Sequence, residues 1–144
     1  MYITHYPVVL ILTFLWIGFV CAISFMEAGL KFRAPGITLP LGLGIGQLVF
    51  NALNKVEWVM AVGIVLNLLL YNFGVLNSIA YLLVTIALLI LITQTFWALP
   101  ALRRRAVQII DGAKLPPSKL HIYYVALETV KITALFVFGM RLFT

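Results

Sequence analysis

The sequence predicts an all-α, integral membrane four-helix bundle with an extra interfacial or re-entrant helix between helices one and two. Hydrophobic residues make up 64% of the chain, charged residues make up only 10%, and the mean hydropathy is +1.13. A soluble domain is typically about half apolar and about a quarter charged, so this chain has too few charges to cover a soluble surface. Four apolar runs are long enough to cross a hydrocarbon core about 30 Å thick.

These runs cover residues 7–30, 58–73, 79–99 and 122–143 of one domain that spans residues 1–144. They lack the apolar–polar alternation of a membrane barrel, so we expect helices. Pro7 suits a first helical turn, Asn77 or Ser78 can cap helix three, and Ser118 can cap helix four. The turn residues at 72–77 predict a tight hairpin between helices two and three.

The connection after helix one contains an amphipathic segment at about residues 40–53, whose apolar residues recur at helical spacing. About 13 residues are too few to cross a membrane, so the segment predicts an interfacial or re-entrant helix. Gly42 and Gly46 form a GxxxG pattern, which lets another helix approach closely. The segment is either a flexible gate over a lipid or substrate site or a packing element, and packing is the simpler interpretation.

The basic residues predict the orientation in the membrane. Eight basic residues lie in the connections after helix one and after helix three: Lys31, Arg33, Lys55, Arg103, Arg104, Arg105, Lys114 and Lys119. On the other side of the membrane, Arg141 is the only basic residue expected. Because Lys and Arg are enriched in cytoplasmic connections, we expect both termini outside, in a bacterial inner membrane. This asymmetry disfavours dual topology, and it explains the net charge of +6 without a nucleic-acid partner.

Ionisable groups inside apolar runs are costly and are therefore functional candidates. In helix four, His121, Tyr124, Glu128 and Lys131 are spaced to share one face. We expect a polar cavity or ligand-binding site in the cytoplasmic half, lined by Glu27, Lys31, Glu57, Gln94, His121, Tyr124, Glu128 and Lys131.

Three interpretations of these residues remain open. The first is a structural network, in which Glu27 pairs with Lys31 and Glu128 pairs with Lys131. The second is a cavity whose carboxylates bind a substrate, a cation or protons. The third is catalysis, including a metal held by carboxylates and histidine: Glu27, Glu57, Glu128 and His121. The sequence contains neither ExxH nor HExxH, so we predict no metal or other cofactor, and no catalytic residue can be assigned.

The aromatic residues near the predicted helix ends are typical of an interfacial belt; these are Trp58, Trp97, Tyr123 and Tyr124. The composition and candidate site together favour a small transporter-like or ligand-binding membrane protein with a polar cavity open to the cytoplasm. A membrane-embedded enzyme acting on a lipid or apolar metabolite is the alternative, and an accessory subunit is a third. The expected partners are the lipid bilayer and a homo-oligomer or membrane complex.

Several landmarks resemble a four-helix membrane family of unknown function that includes a human cisplatin-resistance-associated transmembrane protein. These are the segments at residues 31–35, 48–50 and 94–100, and His121 at the start of helix four. Gln94 stands where that family is expected to carry Asn, and the connection between helices three and four is shorter than in eukaryotic members. The resemblance implies four helices and carries over neither an activity nor a catalytic residue.

Cysteine-accessibility labelling tests the predicted orientation. On a background lacking Cys21, single cysteines at positions 5 and 144 should react with an impermeant reagent from outside, and a cysteine at position 112 should react only after permeabilisation. Labelling of position 112 from the outer side would show that the orientation is inverted.

Overall fold

The computed structural model describes residues 6–71 and 76–143, and this part of the chain is helical without strands. Four of its helices are long and apolar enough to cross a membrane: α1, Pro7–Arg33; α2, Leu39–Tyr71; α3, Ser78–Ile110; and α4, Leu120–Arg141. The coarse prediction of four apolar helices is therefore confirmed. His5, Thr144 and the turn predicted at 72–75 lie outside the described residues.

The outer surface of the bundle is apolar on every helix. Ile11, Leu70, Leu89 and Phe136 are among the large hydrophobic side chains that are half exposed or more. Monomeric soluble proteins rarely expose continuous apolar surface of this extent. The exterior is thus suited to lipid, and the polar side chains are sorted to the interior and to one end.

The predicted boundary between an interfacial helix and helix two is wrong, because α2 is one continuous helix of 33 residues. The chain turns earlier, at Gly36, whose φ of +81° favours glycine. Thr38 Oγ1 then accepts a hydrogen bond from the Leu41 N–H at 3.4 Å. No glycine or proline lies between residues 47 and 62 to end the helix, so it runs on for roughly 50 Å at 1.5 Å per residue.

Helix α3 also extends beyond its predicted end at Leu99. Pro100 does not stop it, and Arg103, Arg104 and Arg105 are helical rather than part of a loop. The turn before the proline is a π-helical segment, Gln94–Ala98, in which the Leu99 N–H donates to the Gln94 carbonyl five residues back. This wider turn changes the hydrogen-bond register ahead of a residue that lacks an N–H, which allows the helix to continue.

A second π-helical segment, Cys21–Glu27, interrupts α1. The helix then regains α geometry over Ala28–Leu30 and closes with a short 3₁₀ turn, Lys31–Arg33. At the start of α3, the Asn77 side chain accepts a hydrogen bond from the Ala80 N–H at 2.9 Å, which confirms the predicted cap. Ser118 Oγ similarly accepts from the Leu120 N–H at 3.1 Å at the start of α4.

The four helices divide the interior into three layers along the bundle. Helix α1 packs on α2 and α4, whereas α3 packs on α4 and, through its last third, on α2. One end is an apolar core that includes Val9, Ile64, Val84 and Phe138. Buried polar side chains form the middle layer, and a cavity lies at the end that carries the basic connections.

Gly42 and Gly46 provide a test of the close approach between α1 and α2. A Cβ at Gly42 would collide with the Phe32 ring, and one at Gly46 would lie 2.9 Å from Lys31 Nζ, whereas Gly44 has no neighbour within 4 Å. We expect Gly42→Leu combined with Gly46→Leu to lower the unfolding free energy by about 1–3 kcal/mol through overpacking. The measurement is denaturation in detergent.

Gly44→Leu is the matched control, because it lies between the other two positions and should leave stability nearly unchanged. Equal melting of the double variant and the parent would show that these glycines do not make the contact.

Candidate functional site

A fully buried ammonium group lies at the centre of the middle layer. Lys131 of α4 is 0% exposed, and its Nζ contacts three oxygens on three helices. It donates to Glu57 Oε2 of α2 and, at 2.7 Å, to Gln94 Oε1 of α3, and it lies 2.9 Å from Glu128 Oε2 of its own helix. The predicted Glu128–Lys131 contact is therefore present, and it belongs to a larger cluster that joins α2, α3 and α4.

Glu57 lies near the middle of the bundle. The predicted start of helix two at residue 58 would have put Glu57 at a helix end, and this expectation is wrong because α2 begins at Leu39. Glu57 is 18 positions into α2, roughly 27 Å from the first residue at 1.5 Å per residue, and 1% exposed. Its Oε2 accepts hydrogen bonds from both Lys131 Nζ and Trp16 Nε1, the latter at 2.7 Å. Trp16 thereby connects α1 to the cluster.

The contacts of Glu128 are longer or less well directed than those of Glu57, although Glu128 is 0% exposed. Its Oε1 faces Ser24 Oγ at the long distance of 3.4 Å. Its Oε2 lies close to Lys131 Nζ but accepts no well-directed hydrogen bond. The hydroxyl group of Tyr124, one turn earlier in α4, lies beside both Ser24 and Glu128.

The two π-helical segments supply polar groups to this layer. Ser24 lies within the segment in α1, and Gln94 begins the segment in α3. Single π turns occur frequently at functional sites, because the extra residue redirects the side chains around it. Gln94 is 1% exposed, and with its Oε1 held by Lys131, its Nε2 has no acceptor among the described side chains.

Glu27 and Lys31 form a second ion pair, with Nζ and Oε2 3.3 Å apart. The pair lies nearer the basic end and is partly exposed, at 23% for the Glu27 side chain and 10% for that of Lys31. The Lys31 ammonium also lies 5.5 Å from the ring centroids of both Phe32 and Phe50. This cation is therefore fixed against aromatic faces.

A cavity of about 350 Å³ occupies the basic end of the bundle between all four helices. Its volume lies within the range of small-molecule sites, roughly 300–1,000 Å³. Most of its wall is apolar, formed by side chains such as Leu39, Leu43, Phe50, Leu102 and Ile109. We call it the basic cavity, because Lys31, Arg103 and Arg105 line it. The other side chains in the lining that can donate a hydrogen bond are Gln47, Asn51, Ser118, His121 and Tyr124.

No carboxylate is found among the described residues that line the basic cavity. Arg105 donates to the Pro116 carbonyl, which ties the connection before α4 to the cavity wall. Gln47 Nε2 is buried and has no acceptor among residues 6–71 and 76–143. The cavity thus combines apolar walls with an excess of hydrogen-bond donors and positive charge.

Tyr124 separates the basic cavity from the buried cluster. It is 2% exposed, lines the cavity, and packs edge-to-face on Phe50 with ring centroids 5.4 Å apart. The prediction that it belongs to an interfacial belt is wrong for this reason. Trp58 also departs from the belt, since its Nε1 donates to Thr95 Oγ1 at 3.0 Å, whereas Trp97 and Tyr123 are about half exposed.

The structure divides the eight predicted site residues among three places. Glu57, Gln94, Glu128 and Lys131 meet in the cluster, and Tyr124 adjoins it. Lys31 and the exposed His121 line the basic cavity, and Glu27 pairs with Lys31 from outside the lining. Within the described ranges no three His, Cys, Asp or Glu side chains are grouped as metal ligands. The four residues considered above as possible metal ligands therefore do not come together.

Sequence reasoning missed Trp16, Gln47 and the two arginines of the basic cavity. Arg103 and Arg105 were counted only as topological signals. A tryptophan within an apolar run does carry one usable signal, because a buried indole N–H needs an acceptor.

Comparison of the chain with protein families, curated proteins and solved structures finds no significant match. The family resemblance stays a prediction, and the function is to be inferred from the geometry of the cluster and the cavity.

Lys131→Met should be strongly destabilising, because it removes the cation that contacts two buried carboxyl groups. Breaking a buried ion pair by removing one partner costs about 3–5 kcal/mol, and unfolding in detergent would measure the loss. Adding Glu57→Gln and Glu128→Gln to Lys131→Met should recover much of it. Lys55→Met, on the exposed face of α2, is the control, and a Lys131→Met protein as stable as the parent would rule out the cluster as an organising contact.

Proposed function

We propose that this chain is an integral membrane protein that binds an anionic amphiphile, such as a lipid with a phosphate headgroup, in the basic cavity. The proposal rests on the composition of the cavity wall. Its described residues are mostly apolar and include three cations and no carboxylate. Apolar walls suit a hydrocarbon chain, and the donors suit an anionic headgroup.

The charge balance favours an anion over a cation or a neutral ligand. Glu27 offsets the Lys31 charge through its ion pair, whereas Arg103 and Arg105 have no carboxylate partner among the described residues. Two arginine forks beside an apolar space are typical of phosphate recognition, because the planar guanidinium matches two phosphate oxygens. Gln47 Nε2 supplies a further buried donor without an acceptor.

The proposed orientation places the basic cavity at the cytoplasmic surface. Lys31, Arg33 and the basic residues at 103–105 all lie at the cavity end of the bundle, as the positive-inside rule expects for a cytoplasmic side. Helices α2 and α3 each have 33 residues, which is longer than a hydrocarbon core of about 30 Å requires. Their excess length surrounds the cavity and would raise it toward the headgroup layer, where anionic lipids carry their charge.

Ligand binding accounts for the cavity more directly than catalysis does. His121 is the one histidine in the lining, and within the described part of the chain it has no carboxylate partner to orient it as a base. The hydroxyl groups of Ser118 and Tyr124 also line the cavity, but no described carboxylate pairs with His121 to orient it for activating either of them. We therefore infer a carrier or sensor of an amphiphile rather than an enzyme that converts one.

Purified protein in nanodiscs of zwitterionic lipid should bind fluorescent phosphatidic acid more tightly than fluorescent phosphatidylcholine. Arg103→Gln should weaken phosphatidic acid binding about tenfold, because a hydrogen bond to a charged group contributes about 1.5–3 kcal/mol. Arg104→Gln is the matched control: it removes the same charge from the next residue, which does not line the cavity.

Three results would contradict the proposal. Equal losses for Arg103→Gln and Arg104→Gln would indicate general surface electrostatics, and equal binding of the two lipids would indicate no anion recognition. Displacement of phosphatidic acid by equimolar inorganic phosphate would indicate a free-anion site without a role for the apolar wall.

A further inference from the structure

The buried cluster contains an unequal number of opposite charges. Glu57 and Glu128 face one cation, Lys131, and all three side chains are at most 1% exposed. Within the described ranges, the other elements packed around them add no charge, since α1 contributes Trp16 and Ser24 and α3 contributes Gln94. Tyr124 is the remaining titratable neighbour. With both carboxylates ionised the cluster would carry one uncompensated negative charge, which is costly in an apolar interior.

The hydrogen bonds distinguish the two carboxyl groups. Glu57 Oε2 accepts from the Trp16 indole and from the Lys131 ammonium, the arrangement that stabilises a carboxylate. Glu128 instead faces the hydroxyl groups of Ser24 and Tyr124, which can accept a hydrogen bond as well as donate one, and its ion contact lacks hydrogen-bond direction. The excess negative charge is therefore least well compensated on Glu128.

We propose that Glu128 binds one exchangeable proton, so that the cluster contains one carboxylate, one carboxylic acid and one ammonium group. In this state Glu128 Oε1–H donates to Ser24 Oγ, which can accept because a hydroxyl group is both donor and acceptor. Glu128 Oε2 is then a carbonyl oxygen 2.9 Å from Lys131 Nζ. In these two contacts each oxygen of Glu128 has a hydrogen-bonding partner, and the carboxyl group carries no net charge.

Tyr124 gives this proton a route to the basic cavity. Its side chain lines the cavity, and its hydroxyl lies beside Ser24 and Glu128. A hydroxyl group can accept a proton on one lone pair and release its own, so it can relay a proton between the cavity and Glu128. The site is defined by the cluster alone and does not depend on which ligand occupies the cavity.

Infrared spectroscopy of the folded protein in nanodiscs tests the proposal directly. The chain has only four acidic side chains, of which three are glutamates, so few carboxyl bands overlap. At neutral pH we expect one carbonyl band of a protonated carboxyl group, and the band should shift when the protein is made with carboxyl-¹³C glutamate. It should be lost in Glu128→Gln and retained in Glu27→Gln, the matched control in the partly exposed ion pair.

Ser24→Ala extends the test without altering Glu128. Removing the Ser24 hydroxyl group should shift the band, since the Glu128 O–H loses the acceptor of its hydrogen bond. Absence of the band from the folded parent, its persistence in Glu128→Gln, or an unchanged frequency in Ser24→Ala would each overturn the assignment. Lipid titrations of the same samples separate the two proposals, because failure of lipid binding leaves the band in place and absence of the band leaves the titration interpretable.

Discussion

The buried ammonium group of Lys131 is the contact on which the arrangement of the helices depends. An ion removed from water must recover its lost hydration from fixed partners, and each partner of Lys131 beyond its own helix comes from a different element. Glu57 brings α2 to it and Gln94 brings α3, while Trp16 attaches α1 through Glu57. Lipid gives little hydrophobic force to hold helices together, so such polar contacts have a larger role in fixing their register.

This central contact also separates two regions with different chemistry. Toward the chain ends, apolar side chains such as Ile64 and Phe138 fill the space between the helices. Toward the basic connections the helices enclose a cavity instead. Tyr124 and Phe50 form its wall on the side of the buried cluster. Glycines at positions 42 and 46 give Phe32 and Lys31 room against α2, so the cavity wall includes an aromatic ring and a cation from α1. The residues that pack α1 against α2 at this end therefore also line the cavity.

The sequence was sufficient for the number of apolar helices and for contacts within one helix. Apolar runs revealed four spans, and the three-residue spacing of Glu128 and Lys131 predicted a pair that the structure contains. Contacts between helices were beyond its reach, because the pairing of Glu57 with Lys131 depends on how far each helix is displaced along its neighbour. Hydropathy also divided α2 incorrectly, since it reports apolar character and not helical continuity. The π turns around Ser24 and Gln94 have no recognisable sequence signal. The count of basic residues used for the orientation did not indicate that Arg103 lines a cavity.

Dipolar couplings measured by solid-state NMR in lipid bilayers test the central contact most directly. With lysine labelled at ¹⁵Nζ and glutamate at ¹³Cδ, on a Lys31→Arg background that removes the other lysine–glutamate pair, a single lysine signal should be dephased. That signal should disappear in Lys131→Met, and Glu57→Gln should remove one of its two couplings. A lysine signal coupled only to Glu128 would contradict the structure proposed for the cluster, because α4 would then hold its ion pair without reaching α2.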